Sequence, residues 1–432
     1  MNFLPMKEIK VYLMNSNILV QLNSIDWNFF DKTDKLTNRL HWYPGTFPQE
    51  IPSALIQSLT QENDIVFDPY GGIGTTVSEA IRLKRRCIIS DINPVGVLSS
   101  YISSAFLIGN TEIKKQINSF LDYLLNIIDR KNMALNFQYT DETENIDFDT
   151  YFSKIIFPSP NELFSQIHIS KPQWTLLEKW IEKQTLIYIK EIYDILVTEK
   201  QYIKKLIIFE MLSDVLFSSS SQRRSWGHIA DNVYPKEMEK RSRDMFIACN
   251  RWINRKAKKL LEIDCDYDYS EKRIIVLLHN WLKDLNISIE NFHYDLLLTS
   301  PPYANAIDYL KSQKLSLYLF GYTEKDIIHG CNNEIGARTK RNTADSTKTW
   351  AENLISALHR QFMPSKEYAF FAFILPSEET GRAVGNEKIK EFFQKNGRYL
   401  FFEKERSINQ AKTIQSWTSI KKEKILIFSK RN

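Results

Sequence analysis

Asp64-Ile-Val-Phe-Asp-Pro-Tyr-Gly-Gly-Ile-Gly-Thr-Thr76 runs into Val77 to Lys84 and then into Cys87-Ile-Ile-Ser-Asp91. The apolar run at 64–68 has the length of a buried strand and stops at Pro69 and the glycines. Val77 to Lys84 reads as a helix, and Cys87 to Ser90 as a second buried strand with Asp91 at its tip. This is a β-turn-α-β unit, so the fold class is α/β. Gly72 and Gly74 suit a turn where backbone approaches a ligand closely. Asp91 follows Asp68 by 23 positions, close to the spacing at which an acid holds ribose hydroxyls. The turn lacks the full G-x-G-x-x-G pattern, and a carboxylate at Asp68 suits a cationic ligand better than a pyrophosphate.

Downstream, Tyr294-Asp-Leu-Leu-Leu298 reads as another buried strand, ended by Thr299-Ser-Pro-Pro-Tyr303. A rigid turn therefore sits at the carboxyl end of a strand, where open α/β sheets bind ligands. Ser300 and the carbonyls of the proline pair can accept hydrogens from a flat amino group, and Tyr303 can stack on its ring. Taken alone, Pro-Pro-Tyr reads better as a structural turn. Upstream, His41-Trp-Tyr-Pro-Gly-Thr-Phe-Pro-Gln-Glu50 is an aromatic Pro/Gly loop. It precedes a helix with Ile51, Leu55, Ile56 and Leu59 on one face and Pro52 in the first turn.

The chain has 432 residues, enough for two or three domains or one large domain with an insertion, and is 43% hydrophobic and 25% charged. Its net charge of +5 permits a polyanionic partner without demanding one. Cys87, Cys249, Cys265 and Cys331 form no C-x-x-C pair and the histidines no H-E-x-x-H, so no metal site is expected. No basic-then-apolar leader and no apolar run of membrane length occurs, which leads us to expect a reducing, cytoplasmic setting.

Residues 1–40 read as an irregular lead-in with one strand at Ile9 to Leu13. Residues 112–290 carry no recognisable motif. Trp174 to Val215 alternates at helical spacing, and Phe217 to His228 is a polar loop holding Arg223, Arg224 and Trp226. After Pro235 a helix is expected to about Ile263, with Met238, Met245, Cys249, Trp252 and Leu260 in a stripe. Lys236, Lys240, Arg241, Arg243, Arg251, Arg255, Lys256, Lys258 and Lys259 crowd its other faces, either as a solvated face or as a surface for phosphates. Ile307 to Gly321 reads as a helix. Glu334 to Lys348, with Arg338, Lys340 and Arg341, reads as a polar loop, either beside a substrate or plain surface. Tyr368–Leu375 is a buried strand, and Tyr399–Lys404 and Glu423–Phe428 suit an antiparallel pair at a sheet edge.

Asp68-Pro-Tyr-Gly-Gly-Ile-Gly-Thr75 resembles the D-P-F-x-G-x-G-T loop of S-adenosylmethionine-dependent DNA amino-methyltransferases, and Thr299 to Tyr303 resembles their T-S-P-P-Y motif. Asp91-Ile-Asn-Pro94 and His41 to Phe47 are also similar to that family, although Gly45-Thr46 stands where related sequences often carry Ala-Lys. The resemblance covers about residues 38–110 and 290–430. It implies a Rossmann-like methyltransferase sheet with an antiparallel edge pair and a mainly helical insertion. It divides the chain into a cofactor-binding half at 1–111, an insertion at 112–290 for target recognition, and a catalytic half at 291–432.

The implied cofactor is S-adenosyl-L-methionine, held by Phe47, Asp68, Tyr70, Gly72, Gly74, Thr75, Asp91 and Thr299. The implied catalytic residues are Ser300, Pro301, Pro302 and Tyr303. Expected DNA contacts are Arg223, Arg224, Trp226, Arg243, Arg251, Arg338 and Arg341. The resemblance implies methyl transfer to an exocyclic amine of a flipped base, and serine before Pro-Pro-Tyr points to cytosine N4. It also admits a cognate restriction endonuclease as a partner. Adenine N6, an RNA amine, a catalytically silent DNA-binding protein and a nicotinamide oxidoreductase remain as alternatives. The Asp68-Pro69 turn argues against the last, and intact Gly72, Gly74, Asp91 and Ser300 argue against the silent form.

Overall fold

The computed structural model describes residues 16–29, 39–129, 146–221, 234–265, 273–283, 293–340, 345–377, 384–408 and 421–430. Eight strands form one sheet: β1 Ile65–Asp68, β2 Arg86–Asp91, β3 Ile156–Phe157, β4 Ile274–Leu278, β5 Tyr294–Thr299, β6 Ser365–Pro376, β7 Tyr399–Ser407 and β8 Lys422–Ser429. Their order is β3-β4-β2-β1-β5-β6-β8-β7. Neighbours are parallel from β3 to β6, and β8 runs antiparallel between β6 and β7. The expected antiparallel edge pair is therefore present.

Strand alternation divides the apolar side chains between the two faces of the sheet. Val66, Ile89, Leu296, Leu298 and Ile374 pack on one face with the helices Glu50–Leu59, Pro94–Ile108 and Tyr202–Ser219. Phe67, Ile88, Leu297, Phe371 and Phe373 pack on the other with Trp350 and Leu354 of Ser346–Phe362 and with Ile389 and Phe393 of Val384–Lys395. Every residue of Pro94–Ile108 is buried, because the helix lies between the sheet and the helical segment around Tyr202–Ser219. A helix apolar on all sides needs such cover.

The structure revises several expectations. Residues 16–24 are helical rather than irregular, and the strand expected at 9–13 lies outside the described residues. The segment 112–290 is largely helical, but it also supplies β3 and β4, which extend the sheet beside β2. The expected helix from Pro235 begins only at Met245–Trp252, preceded by a short turn at Glu237–Glu239. Met238 consequently leaves the buried stripe and is 89% exposed, while Met245, Cys249, Trp252 and Leu260 are buried. The basic face is partly neutralised: Lys256 pairs with Asp214 at 2.6 Å, Lys240 with Glu237 at 2.8 Å, and Lys258 with Asp122. Ile307 to Gly321 is divided into Tyr309–Ser312 and Lys314–Phe320, with Gly321 as a left-handed cap.

Candidate active site

β1 and β5 are parallel neighbours, with Val66 opposite Leu296 and Phe67 opposite Leu297. Their carboxyl ends therefore stand side by side, and the turn after each opens on the same pocket. Empty space there amounts to about 820 Å³, including the part open to solvent. The glycine turn contributes Pro69, Tyr70, Gly71, Gly72, Ile73 and Thr75, and the proline turn contributes Ser300 and Pro302.

The two turns are tied together from behind by Asp68. This buried carboxylate accepts the Thr299 hydroxyl at 2.7 Å, the Tyr70 N–H at 3.1 Å and the Thr76 hydroxyl. Burial pushes its carboxyl up to about 6, against the opposing pull of those hydrogen bonds. Asp68 and Thr299, expected to touch a cofactor, are absent from the pocket wall, as are Gly74, Pro301 and Tyr303. Phe47, Tyr70, Gly72, Thr75 and Asp91 line it.

Asp91, at the tip of β2, accepts the N–H of Gly72 and of Asn93, both at 2.8 Å. Burial raises its carboxyl to about 6, and Asp68 adds to the shift. Gly72 has φ +52°, a left-handed conformation that favours glycine, and a Cβ there would sit 3.2 Å from the Tyr43 ring. Gly96 gives the turn its support: a Cβ there would lie 2.7 Å from the Gly72 carbonyl oxygen. That carbonyl also accepts the Ser100 hydroxyl at 2.9 Å.

Tyr43, Gly45, Thr46 and Phe47 form a second wall. Helical neighbours hold the loop that carries them. His41 bonds to Ser213 at 2.7 Å, the Trp42 N–H donates to Asp214 at 2.9 Å, and the Trp42 ring stacks on Phe217. Lys256, expected on a basic face either solvated or turned to phosphates, instead bridges Asp214 and the Leu40 carbonyl beneath this loop.

Further wall residues were missed by sequence reasoning. His279, Asn280 and Trp281 follow β4, and the Trp281 indole N–H donates to the Pro69 carbonyl at 3.1 Å and to Ser90 Oγ at 3.0 Å. Tyr309 packs on Tyr43 at 5.9 Å. Glu334 is buried and accepts the N–H of Tyr309 at 3.0 Å and of Leu310 at 2.7 Å; burial pushes its carboxyl up to about 8. The run Ile274-Ile-Val-Leu-Leu278 was the one available signal for the His279 to Trp281 loop, since a loop after a parallel strand faces the ligand edge. Glu334 gave no such signal, because it lies in a polar stretch.

At the proline turn, the Trp350 indole N–H donates to the Pro302 carbonyl at 2.8 Å. No donor among the described residues reaches the Pro301 carbonyl. The Ser300 hydroxyl lies 3.1 Å from that of Tyr303, whose ring is half-buried. Among the expected DNA contacts, Arg243 and Arg251 are exposed and Arg338 is half-buried. Arg223, Arg224, Trp226 and Arg341 lie outside the described residues.

Residues 15–102 match a family model described as DNA methylase, N6_N4_Mtase. The Type II methyltransferase M.MjaI of Methanocaldococcus jannaschii is 43% identical over 61 residues, which is 14% of this chain and 20% of that protein. The chain thus spans about a fifth of the length of this curated relative. Among solved structures, the rRNA methyltransferase aviRa from Streptomyces viridochromogenes is similar at 9% identity, with 92% of this chain and 93% of that chain covered and a TM-score of 0.27. The residues that match the family model supply the Tyr43 wall, the glycine turn and Asp91, so this part of the chain is similar to the N6/N4 DNA methylase family.

Proposed function

We propose that the chain is a DNA methyltransferase that uses S-adenosyl-L-methionine to methylate an exocyclic amine of a flipped base, with cytosine N4 the favoured acceptor and adenine N6 the second reading. The observation that carries this reading is the single pocket shared by the glycine turn and the proline turn. A methyl donor held by one turn and an amine held by the other would meet there.

The pocket suits the cofactor's chemistry. Its wall holds two carboxyl groups, Asp91 and Glu334, several aromatic rings and, among the described residues, no Lys or Arg. Asp91, ionised at neutral pH, together with the aromatic rings favours a ligand carrying positive charge and hydroxyl groups over a pyrophosphate. Asp91 would accept the ribose hydroxyls, and the backbone from Tyr70 to Thr75 would line the methionine end. Bound there, S-adenosyl-L-methionine supplies a methyl group on a sulfonium, whose transfer forms one N–C bond and leaves the S–C electron pair on sulfur.

The chain's own residues do the rest by position and electrostatics. Ser300 Oγ and the Pro301 carbonyl would accept the two amine hydrogens, drawing the nitrogen toward a tetrahedral shape with its lone pair turned into the pocket. The surplus proton leaves to water. Tyr303 would stack on the extruded base and offset part of its unstacking cost. No covalent intermediate is required, so no cysteine nucleophile is required.

Exposed Arg243 and Arg251, with Arg338, are our candidates for phosphate contacts, and the helical part of 112–290 is our candidate for choosing the DNA site. Purified protein and tritiated methyl donor, offered DNA and RNA from methylation-free cells, test the reading. Label in N4-methylcytosine supports it in full, label in N6-methyladenine supports the second reading, and label only in RNA removes DNA as substrate.

A further inference from the structure

In the proposed reaction Ser300 has to accept a hydrogen, yet a serine hydroxyl is both donor and acceptor. Its own proton must therefore be directed elsewhere, or it competes with the amine. A carboxylate at this position would not face the problem.

The surroundings of Ser300 provide a direction. Its Oγ lies 3.1 Å from Tyr303 Oη. Tyr303 Oη lies 2.9 Å from Glu423 Oε1 on β8 and 3.3 Å from the Ile374 carbonyl on β6. Both of these partners are acceptors, so the phenol proton points at them. The phenol oxygen is left with lone pairs facing Ser300 and can receive its proton. Burial, with Glu423 beside it, raises the Tyr303 phenol well above its ordinary range, which keeps that proton in place.

Glu423 is fixed in turn. Its other oxygen accepts from Arg406 Nη1, and Arg406 Nε donates to the Trp27 carbonyl at 3.0 Å. Arg406 is itself held in the interior: its side chain is 3% exposed, at a buried position of β7. The hydrogen bonds thus run in one sense, from Ser300 through Tyr303 to an anchored carboxylate. Charge-assisted members of such a chain are its stronger links.

We propose that Tyr303 and Glu423 are positioning residues that commit the Ser300 proton away from the pocket, so that Ser300 meets the target amine as an acceptor only. This rests on the amine-methylation reading above. Tyr303 then has two separate tasks: its ring serves the base and its hydroxyl serves Ser300.

The test is a cycle of variants in the full chain. Tyr303→Phe keeps the ring and removes the hydroxyl. We expect single-turnover methyl transfer to fall at least about tenfold, the loss for one misdirected hydrogen bond. Cofactor affinity by calorimetry and DNA affinity should stay within about twofold. In a Ser300→Asp background, where no serine proton needs placing, the same change should cost less than about twofold. An equal loss in both backgrounds means that the hydroxyl merely anchors the ring, and overturns the proposal.

A readout independent of activity is neutron diffraction from the wild-type protein. It should place the Ser300 deuteron toward Tyr303 and the Tyr303 deuteron toward Glu423. The reverse orientation overturns the proposal whatever the variants do. Wild-type protein that methylates no nucleic acid defeats the proposed reaction instead, so the two failures are distinguishable.

Discussion

Replacing Asp91 by Asn separates what this residue does for the fold from what it does for a ligand. In the folded chain the Asp91 carboxyl is raised from 3.8 to about 6, chiefly by burial. At pH 7.5 the ionised form therefore carries a burial cost on the order of 3 kcal/mol, which an amide avoids. Against that gain, Asn keeps one acceptor oxygen where Asp91 now serves both Gly72 and Asn93. Losing one of these bonds costs about 1–3 kcal/mol. The two effects are of similar size and opposite sign, so the melting temperature of the free protein should change little.

Ligand binding has no such compensation. Hydrogen bonds to a charged acceptor contribute about 1.5–3 kcal/mol, so S-adenosylmethionine affinity should fall about 10- to 100-fold. Titration calorimetry and thermal unfolding of the same preparations measure both quantities. The pH dependence supplies a control. Wild-type affinity should weaken as the pH falls through about 6, where the Asp91 carboxyl takes up a proton, and the Asn variant should lack that part of the dependence. Unchanged affinity in the variant refutes the assignment of Asp91 to the ribose, and a large loss of stability refutes the balance drawn here.

Ser300→Ala should leave S-adenosylmethionine affinity intact and abolish most turnover; wild-type turnover removes Ser300 from the mechanism. Tyr303→Ala should weaken binding of DNA by roughly 1–3 kcal/mol through lost base stacking, read in equilibrium titrations at fixed salt. Glu210 provides a stability test away from the pocket. Its carboxyl is fully buried opposite Ser99 without bonding geometry, and burial raises it to about 8. Its contribution to stability is complete below its unfolded value near 4.5 and is lost as the pH rises through about 8. Glu210→Gln should therefore gain stability relative to wild type between pH 5 and pH 8.5, on the order of 3 kcal/mol in urea unfolding. A difference independent of pH contradicts the burial of an unpaired carboxyl.

The glycine turn, Asp91 and the proline turn were legible because each is a local pattern. A strand-length apolar run ends in residues with special backbone needs, and its neighbours in sequence are its neighbours in space. Even so, Asp68 and Thr299 were expected to face a ligand and instead face each other, since the register of β1 against β5 decides where a side chain at a strand end points. Glu334, Trp350 and Glu423 were not legible. Their partners are the Tyr309 and Leu310 amides, the Pro302 carbonyl and the Tyr303 hydroxyl, which stand 24 to 120 positions away. A polar stretch such as Glu334 to Lys340 looks like surface until a distant element covers it. β4 was hidden for a different reason: five apolar residues inside a long helical segment do not by themselves announce a sheet strand.

The most direct measurement of the central claim is nucleoside mass spectrometry, with modified-base sequencing, on DNA from methylation-free cells expressing the wild-type chain and, separately, Ser300→Ala. The account predicts a methylated exocyclic amine, N4-methylcytosine before N6-methyladenine, at one recurring sequence with wild-type protein and none with the variant. Unmodified DNA from cells containing folded wild-type protein that binds S-adenosylmethionine contradicts it.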